Sequence, residues 1–457
     1  MQLPAAFTTR LREHFGERFA TGAAVCDQHG RDESAYAPMP PDAVVFVEST
    51  PEVVALVRAC ADHRVPLIAF GAGSSLEGQV LAPRGGVCVD LSRMQRILAI
   101  DEPDLTASVE AGVTRLQLNA ALKGTGLFFA VDPGANATIG GMAATRASGT
   151  NALRYGTMRE NVLALTVVDA RGQVLRTARR AKKSAAGYDL TRLFVGSEGT
   201  LGIVTEITVK LAAQPEAIAA AICNFPSVDA AVRTTIATIQ MAVPVARCEL
   251  LDESAVRAVN AYSKLALRDS PLLLFEFHGS ESALAEHAAI VQQIAHEHGG
   301  VDFVWARTPE ERSGLWAARH NAYFAGLRLR PGCRSITTDV CVPISRLAEC
   351  IEQTRRDVAQ APFPCMLIGH VGDGNFHVQM LIDPNSQVER DEAEACNRRL
   401  VQRALDMDGT CSGEHGVGMH KIDFLVAEHG SEGVELMARI KQALDPLGIL
   451  NPGKMLR

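Results

Sequence analysis

From about residue 40 onward, short apolar runs alternate with stretches of helical periodicity. Residues 43–47 are an apolar run of strand type. Ser49-Thr50-Pro51-Glu52 then has the hydroxyl and early proline of a helix start, and Val53, Leu56, Val57 and Cys60 recur at helical spacing up to His63. A second strand over residues 66–70 runs straight into a small-residue stretch that begins at Gly71. Strands are predicted over residues 87–91, 107–111 and 202–211, the last rich in β-branched side chains, with a helix over 113–122 that ends at Gly124. The texture changes at residues 212–215. Strands follow over 272–277 and 336–342, and helices over 227–240, 281–297, 310–330 and 345–360. That order predicts an antiparallel sheet covered by helices. An amphipathic helix over 432–444 carries Val434, Met437, Ile440 and Leu444 on one side and stops at Asp445-Pro446. The class is α+β, with a helical lead-in over residues 1–38, a nucleotide-binding domain over 39–212 and a C-terminal domain over 213–457.

Composition narrows the function classes. The chain has 457 residues, 47% hydrophobic and 21% charged, which suits a globular protein with a sizeable core. A net charge of -7, with Lys and Arg spread along the chain, argues against nucleic acid as a partner. No run approaches the ~18 apolar residues of a membrane span. The first 22 residues lack the apolar run of a signal peptide. The 11 cysteines are scattered, with no C-x-x-C pair, as in a reducing compartment, so a cytoplasmic protein is expected, with a peripheral contact to a membrane electron carrier left open. Cys411 is read as a buried structural thiol.

Two glycine-rich stretches carry the candidate chemistry. They are Gly369-His370-Val371-Gly372-Asp373-Gly374-Asn375-Phe376-His377 and Gly413-Glu414-His415-Gly416. Two imidazoles and a carboxylate are a ligand set that a divalent metal of the zinc or manganese type accepts. A third imidazole beside that carboxylate is a candidate proton acceptor. Residues 366–368 and 378–381 read as strands joined through Gly372-Asp373-Gly374-Asn375, a hairpin that sets His370 and His377 at facing strand ends. A lone histidine is more often a hydrogen-bonded core or surface residue than a ligand; here the pairing in one hairpin, with Glu414-His415 downstream, favours ligands.

Four small-residue loops precede them. The first holds Gly71, Gly73, Ser74, Ser75, Leu76 and Gly78 and ends at Gln79. Leu76 departs from the Rossmann fingerprint, and no Lys-Ser or Lys-Thr pair makes it a P-loop. The second runs from Asp132 and Pro133 through Gly134, Thr138 and Gly141 to Met142, and the third holds Ser148 and Gly149, followed by Tyr155 and Gly156. The fourth is Gly196-Ser197-Glu198-Gly199-Thr200-Leu201-Gly202. One such loop is often a plain turn; four in one domain fit an extended ligand lying against backbone, the shape of a dinucleotide such as FAD.

The motifs carry a resemblance. Residues 148–158, 183–190, 194–202, 338–343, 369–377, 409–416 and 449–454 occur in the order seen in the FAD-linked oxidase family of the vanillyl-alcohol oxidase type, which has a PCMH-type FAD-binding fold. From about residue 40 to the end the chain resembles the D-lactate dehydrogenase (cytochrome) branch of that family. The resemblance implies a two-subdomain FAD-binding domain and a C-terminal substrate (cap) domain, with the tail 411–457 returning to the flavin. It assigns the first loop to the pyrophosphate, and Pro133, Gly134, Thr138, Gly141 and Met142 to the flavin. Ser148, Gly149, Tyr155 and Gly156 would lie along the cofactor. Glu198, Gly199, Gly202, Ile203 and Val204 would lie near its adenosine half, and Asn451 near the ring. The first loop has no histidine and ends at Gln79, so FAD is expected to be non-covalent.

The same resemblance implies a metal on His370, His377 and Glu414 and oxidation of a D-2-hydroxy acid, D-lactate to pyruvate first, with glycolate and D-2-hydroxyglutarate as alternatives. His415 would take the hydroxyl proton. Arg319 would clamp the carboxylate with its planar fork. Read without the resemblance, Arg319 is a solvated helix charge. Tyr323, four residues on and expected on the same helix face, stands where the resemblance leads one to expect Trp, which bears on pocket width. Asn375 would support the metal ligands or touch substrate. A dicarboxylate would call for a second cation, for which Arg328 and Arg330 are nearest. The ether-lipid synthase branch would show a run of adjacent histidines near the flavin, and none is found. The implied partners are the small 2-hydroxy acid and an electron acceptor (cytochrome, quinone or flavoprotein), with a homodimer left open.

Overall fold

The computed structural model describes residues 3–306 and 308–457, apart from the side chain of Ala318. The chain divides into two units. One takes the chain up to Ser148, then Gly156–Gln214 and Glu414–Arg457; the other takes Gly149–Tyr155 and Pro215–Gly413.

The first unit contains two main sheets. In one, β2 (Ala43–Phe46), β4 (Val87–Asp90) and β3 (Leu67–Phe70) are parallel neighbours in that order, and β1 (Phe19–Ala20) runs antiparallel to β2. Parallel neighbours need a crossover. The helix Thr50–His63 provides the one from β2 to β3 and buries Val53, Leu56, Val57 and Cys60. The lead-in belongs to this sheet. Its helix Ala5–Phe15 buries Phe7, Leu11 and Phe15, spaced by four, against the common core. Each such side chain stabilises the fold by about 1.5–3 kcal/mol. The other sheet is antiparallel. Its order is β5 (Ile97–Asp101), β6 (Thr106–Glu110), β10 (Ile203–Lys210), β8 (Val162–Val168) and β9 (Val174–Arg176). A short pair joins β7 (Leu127–Phe128) to β11 (Ala212–Ala213). The C-terminal tail runs beside β3: Leu67 N–H donates to the Ile449 carbonyl (2.8 Å) and Asn451 N–H to the Leu67 carbonyl (2.9 Å).

The second unit is built on one antiparallel sheet of eight strands. The order is β15 (Val301–Ala306), β12 (Ala217–Asn224), β14 (Leu272–Gly279), β13 (Val245–Leu251), β18 (Cys365–His370), β19 (Asn375–Ile382) and β16 (Arg334–Thr337), and β17 (Val340–Cys341) also pairs with β19. Among the described residues no helix is long and apolar enough to cross a membrane.

Three elements differ from the periodicity. The strand expected over 336–342 is two, β16 and β17, because Thr338 and Asp339 leave the ladder to bind β19 side chains and backbone. The helix expected over 310–330 is also two, Pro309–His320 and Ala322–Leu329. Asn321 caps the first at φ -84°, ψ -3° and begins the second, a place where a short amide side chain is favoured over the helix interior. Arg319 and Tyr323 therefore do not share one helix face. The last helix starts early, at Leu425, and is interrupted at Gly430 with φ 73°.

Gly374, at the hairpin turn, has φ +81°, and a Cβ there would run into the Val342 carbonyl oxygen. Gly374→Ala is expected to lower stability by about 1–3 kcal/mol or more, seen as a lower urea midpoint; an unchanged midpoint would contradict this geometry.

Candidate functional site

In the second unit the site is organised by one carboxylate. Glu249 lies in β13 among apolar neighbours and is 1% exposed. Its Oε2 accepts from Nε of Arg319 at 2.7 Å, and its Oε1 accepts from Nδ1 of His370, also at 2.7 Å. Burial works to raise its pKa, and the charges and hydrogen bonds of His370 and Arg319 overcome burial and hold it below the ordinary carboxylate value. Arg319 is thus buried and bound rather than solvated. His370 pairs across the hairpin with Asn375, and Ile368 with His377, so both histidines point to one face of the sheet. Their ring centroids are 5.5 Å apart, edge to face.

The ring tautomers follow from these partners. His377 Nδ1 lies 3.0 Å from the Thr338 carbonyl, which only accepts. His370 Nδ1 faces an ionised carboxylate. Both Nδ1 atoms therefore donate, so Nε2 is the nitrogen each ring would offer a metal in its neutral form, with the other nitrogen held from behind. The two residues fit a zinc- or manganese-type ion by this donor chemistry. Asn375 turns its amide inward, donating to Asp339 Oδ1 and the Val340 carbonyl, both at 2.8 Å, so it props β17 against the hairpin. Tyr323 is half-buried and accepts at its carbonyl from Gln379 Nε2 (3.1 Å).

In the first unit a second buried carboxylate, Glu77 from the first glycine loop, collects three cationic or imidazole groups. Lys421 Nζ lies 3.0 Å from Oε1, His420 Nδ1 donates to Oε2 at 2.9 Å, and His415 Nδ1 stands 3.4 Å from Oε1. Burial pushes the Glu77 pKa up, but Lys421 and the histidines outweigh burial and hold it well below the usual range. Gln79 Nε2 donates to the His415 carbonyl (2.7 Å), and Glu198 accepts from the N–H groups of Val417 (2.7 Å) and Gly418 (2.9 Å). The segment bearing Glu414 and His415 is thus held by side chains of the first and fourth glycine loops. Glu414 is half-buried, 3.9 Å from His415 Nε2.

The predicted cofactor residues fall as follows. Gly71, Gly73, Ser74, Ser75 and Leu76 are half-buried in the loop after β3, with Gly73 at φ +68° and Gly78 at φ +81°. Gly71 lets this loop lie on the second: a Cβ there would meet the Thr138 hydroxyl. Thr138 caps the helix Ile139–Thr145 by accepting from Gly141 N–H; Met142 is buried, Pro133 half-buried and Gly134 exposed. Ser148, Gly156 and Gly199 also belong to this unit, and Gly202, Ile203 and Val204 lead into β10. Small residues with little side chain over the backbone fit a dinucleotide pyrophosphate. Gln79, Glu198 and Asn451 are buried and use their side chains to join loops; Asn451 Nδ2 donates to the carbonyls of Gln79 (3.1 Å) and Glu198 (2.7 Å). Gly149 and Tyr155 fall in the other unit, where the Tyr155 hydroxyl lies 2.7 Å from His278 Nδ1. Sequence reasoning missed Glu249, Glu77, Lys421 and Asp339. For the three acids the available signal was a lone acid in an apolar strand or loop; no such signal marks Lys421.

Residues 41–178 match the FAD binding domain model, and residues 214–455 match the C-terminal domain of FAD linked oxidases, more than half of the chain. The chain belongs to the FAD-linked oxidase family. Members of it are close in sequence over nearly the whole length. "Probable D-lactate dehydrogenase, mitochondrial" of Danio rerio is 50% identical over 96% of this chain and 89% of its own. "D-lactate dehydrogenase [cytochrome], mitochondrial" of Arabidopsis thaliana is 46% identical over 100% and 81%. "Glycolate oxidase subunit GlcD" of Bacillus subtilis is 36% identical over 91% and 89%. The crystal structure of p-cresol methylhydroxylase shares the fold, with a TM-score of 0.77 at 16% identity over 98% of this chain and 96% of that one. The α+β class with a PCMH-type FAD-binding fold holds, and the chain is an FAD-binding oxidoreductase.

Glu198 supplies a test of the first unit. Burial raises its pKa from 4.5 to about 7, against the two backbone donors. A raised folded value stabilises below the unfolded pKa and is lost as pH climbs through the folded one. Stability relative to Glu198→Gln should therefore fall between about pH 4.5 and about 7, measured by urea unfolding across that range; parallel profiles would refute it.

Proposed function

We propose that this chain oxidises a D-2-hydroxy acid, D-lactate to pyruvate first, with non-covalently bound FAD and one divalent metal of the zinc or manganese type. The observation that carries this reading is the placement of Arg319 and His370 on the same carboxylate, with His377 beside them. A 2-hydroxy acid has a carboxylate next to a hydroxyl. A guanidinium suited to the first and an imidazole pair suited to a metal for the second stand side by side. The names of the relatives support D-lactate as the substrate.

FAD would supply the hydride acceptor for C2 of the substrate. When bound, the metal acts as a Lewis acid toward the hydroxyl. His370 and His377 would hold it, and Glu414 is assigned as third ligand on the sequence pattern. Arg319 gives its Nε to Glu249 and orients the substrate carboxylate with its terminal nitrogens. His415 takes the hydroxyl proton, again on the sequence pattern, and Tyr323 sets pocket width. Asn375 acts through Asp339 rather than on the substrate. The first loop, with Gln79 at its end, offers no histidine for a covalent flavin.

Glycolate is the second reading, supported by the glycolate oxidase subunit among the relatives. A dicarboxylate fits less well. Arg330, a candidate second cation, is held by both oxygens of Glu389 at 2.6 and 3.0 Å. The cytochrome named for the Arabidopsis relative makes a cytochrome the first acceptor to try.

In flavin-loaded protein, His415→Ala should lower D-lactate turnover by about 10²–10⁴-fold with flavin content unchanged. Chelator treatment should remove turnover, and manganese or zinc should restore it. Wild-type turnover in the variant or in the metal-stripped protein would contradict the assignment.

A further inference from the structure

Glu249 has no role in the reaction as written, yet it is buried and touches two assigned residues at once. We propose that Glu249 is a positioning residue that aligns the metal-binding imidazole and the carboxylate-binding guanidinium together, so that one side chain sets both the metal site and the 2-hydroxy-acid site. The inference rests on the assignment of His370 and Arg319 given above.

Glu249 meets an N–H on each oxygen: Arg319 Nε–H at Oε2 and His370 Nδ1–H at Oε1, each at 2.7 Å. Arginine has donors only. His370 must keep hydrogen on Nδ1 if Nε2 is to carry the lone pair a metal needs. Two donors require two acceptors on one residue, and an ionised carboxylate alone provides them. Glutamine, of the same size, serves one partner. With its oxygen toward Arg319, its NH₂ faces His370 Nδ1; the ring then accepts there and protonates Nε2, which cannot ligate. With its oxygen toward His370, its NH₂ meets the Arg319 N–H. Strand geometry makes this rigid: Glu249 and its neighbour Leu250 sit where β13 joins β18, through the Leu250–Gly369 pair next to His370. One carboxylate thus sets the tautomer of one group and the plane of the other.

The test uses flavin-loaded protein and two readouts. Affinity for Mn²⁺ is measured by competition with a chromogenic chelator, and KM for D-lactate by steady-state turnover. Glu249→Gln should weaken Mn²⁺ binding about 10–100-fold and raise KM, while Arg319→Lys should raise KM and weaken Mn²⁺ binding in the absence of substrate by less than threefold. If Glu249→Gln fails to fold because Arg319 is left without its counter-charge, the double variant Glu249→Leu/Arg319→Met removes that charge and leaves His370 Nδ1 no acceptor at residue 249. It should still bind Mn²⁺ weakly. Wild-type Mn²⁺ affinity in either Glu249 variant overturns the proposal. A wild-type protein that binds no Mn²⁺ or Zn²⁺ overturns the metal reading itself, a distinct result.

Discussion

A carboxylate removed from water inside a β-sheet stands only if its charge is answered from both sides. The desolvation cost is several kcal/mol per ion, and Glu249 at 1% exposure meets it with an arginine on one oxygen and a histidine on the other. The rest of the second unit's site follows from that. Arg319 is drawn out of solvent and its plane is fixed. His370 is turned so that its outer nitrogen faces away from the strand. His377, held by the Thr338 carbonyl, meets it ring edge to ring face. The break between β16 and β17 is part of the same construction, because Thr338 and Asp339 leave the ladder to hold His377 and Asn375.

The first unit repeats the device with a different purpose. Glu77 is as buried as Glu249 and is answered by Lys421, His420 and His415. Glu198 and Gln79 add bonds to the backbone of the same segment. The glycine loops therefore do two jobs. Their small residues leave backbone open to a dinucleotide, and their few polar side chains tie down the segment that bears Glu414 and His415. Function and folding share residues here, since an acid that must be neutralised to be buried is also what aims a histidine.

Local pattern made much of the fold legible. The helix Thr50–His63, the strands β2 to β4 and the histidine hairpin all follow from periodicity, proline and glycine placement within a few residues of the chain. The break at Thr338-Asp339 was not legible, because the partners of these residues lie on β19, 36 to 40 residues away, nor was the break at Asn321, because helical spacing runs on through it. The site divides in the same way. His370, His377, Arg319 and His415 stand out by residue type and by neighbouring glycines or family motif. Glu249 does not, since its partners lie 70 and 121 residues away, and Glu77 meets His420 across 343 residues. A lone acid in an apolar run marks such a residue, but pattern alone does not name what answers its charge.

The central claim is that the FAD of this chain is reduced by a D-2-hydroxy acid. The most direct measurement is flavin absorbance in the purified, flavin-loaded protein, without oxygen, on addition of D-lactate and separately of L-lactate. The account predicts rapid bleaching with the D enantiomer and none with the L. A flavin that stays oxidised with D-lactate and with glycolate, in folded protein supplied with Mn²⁺ or Zn²⁺, would contradict it.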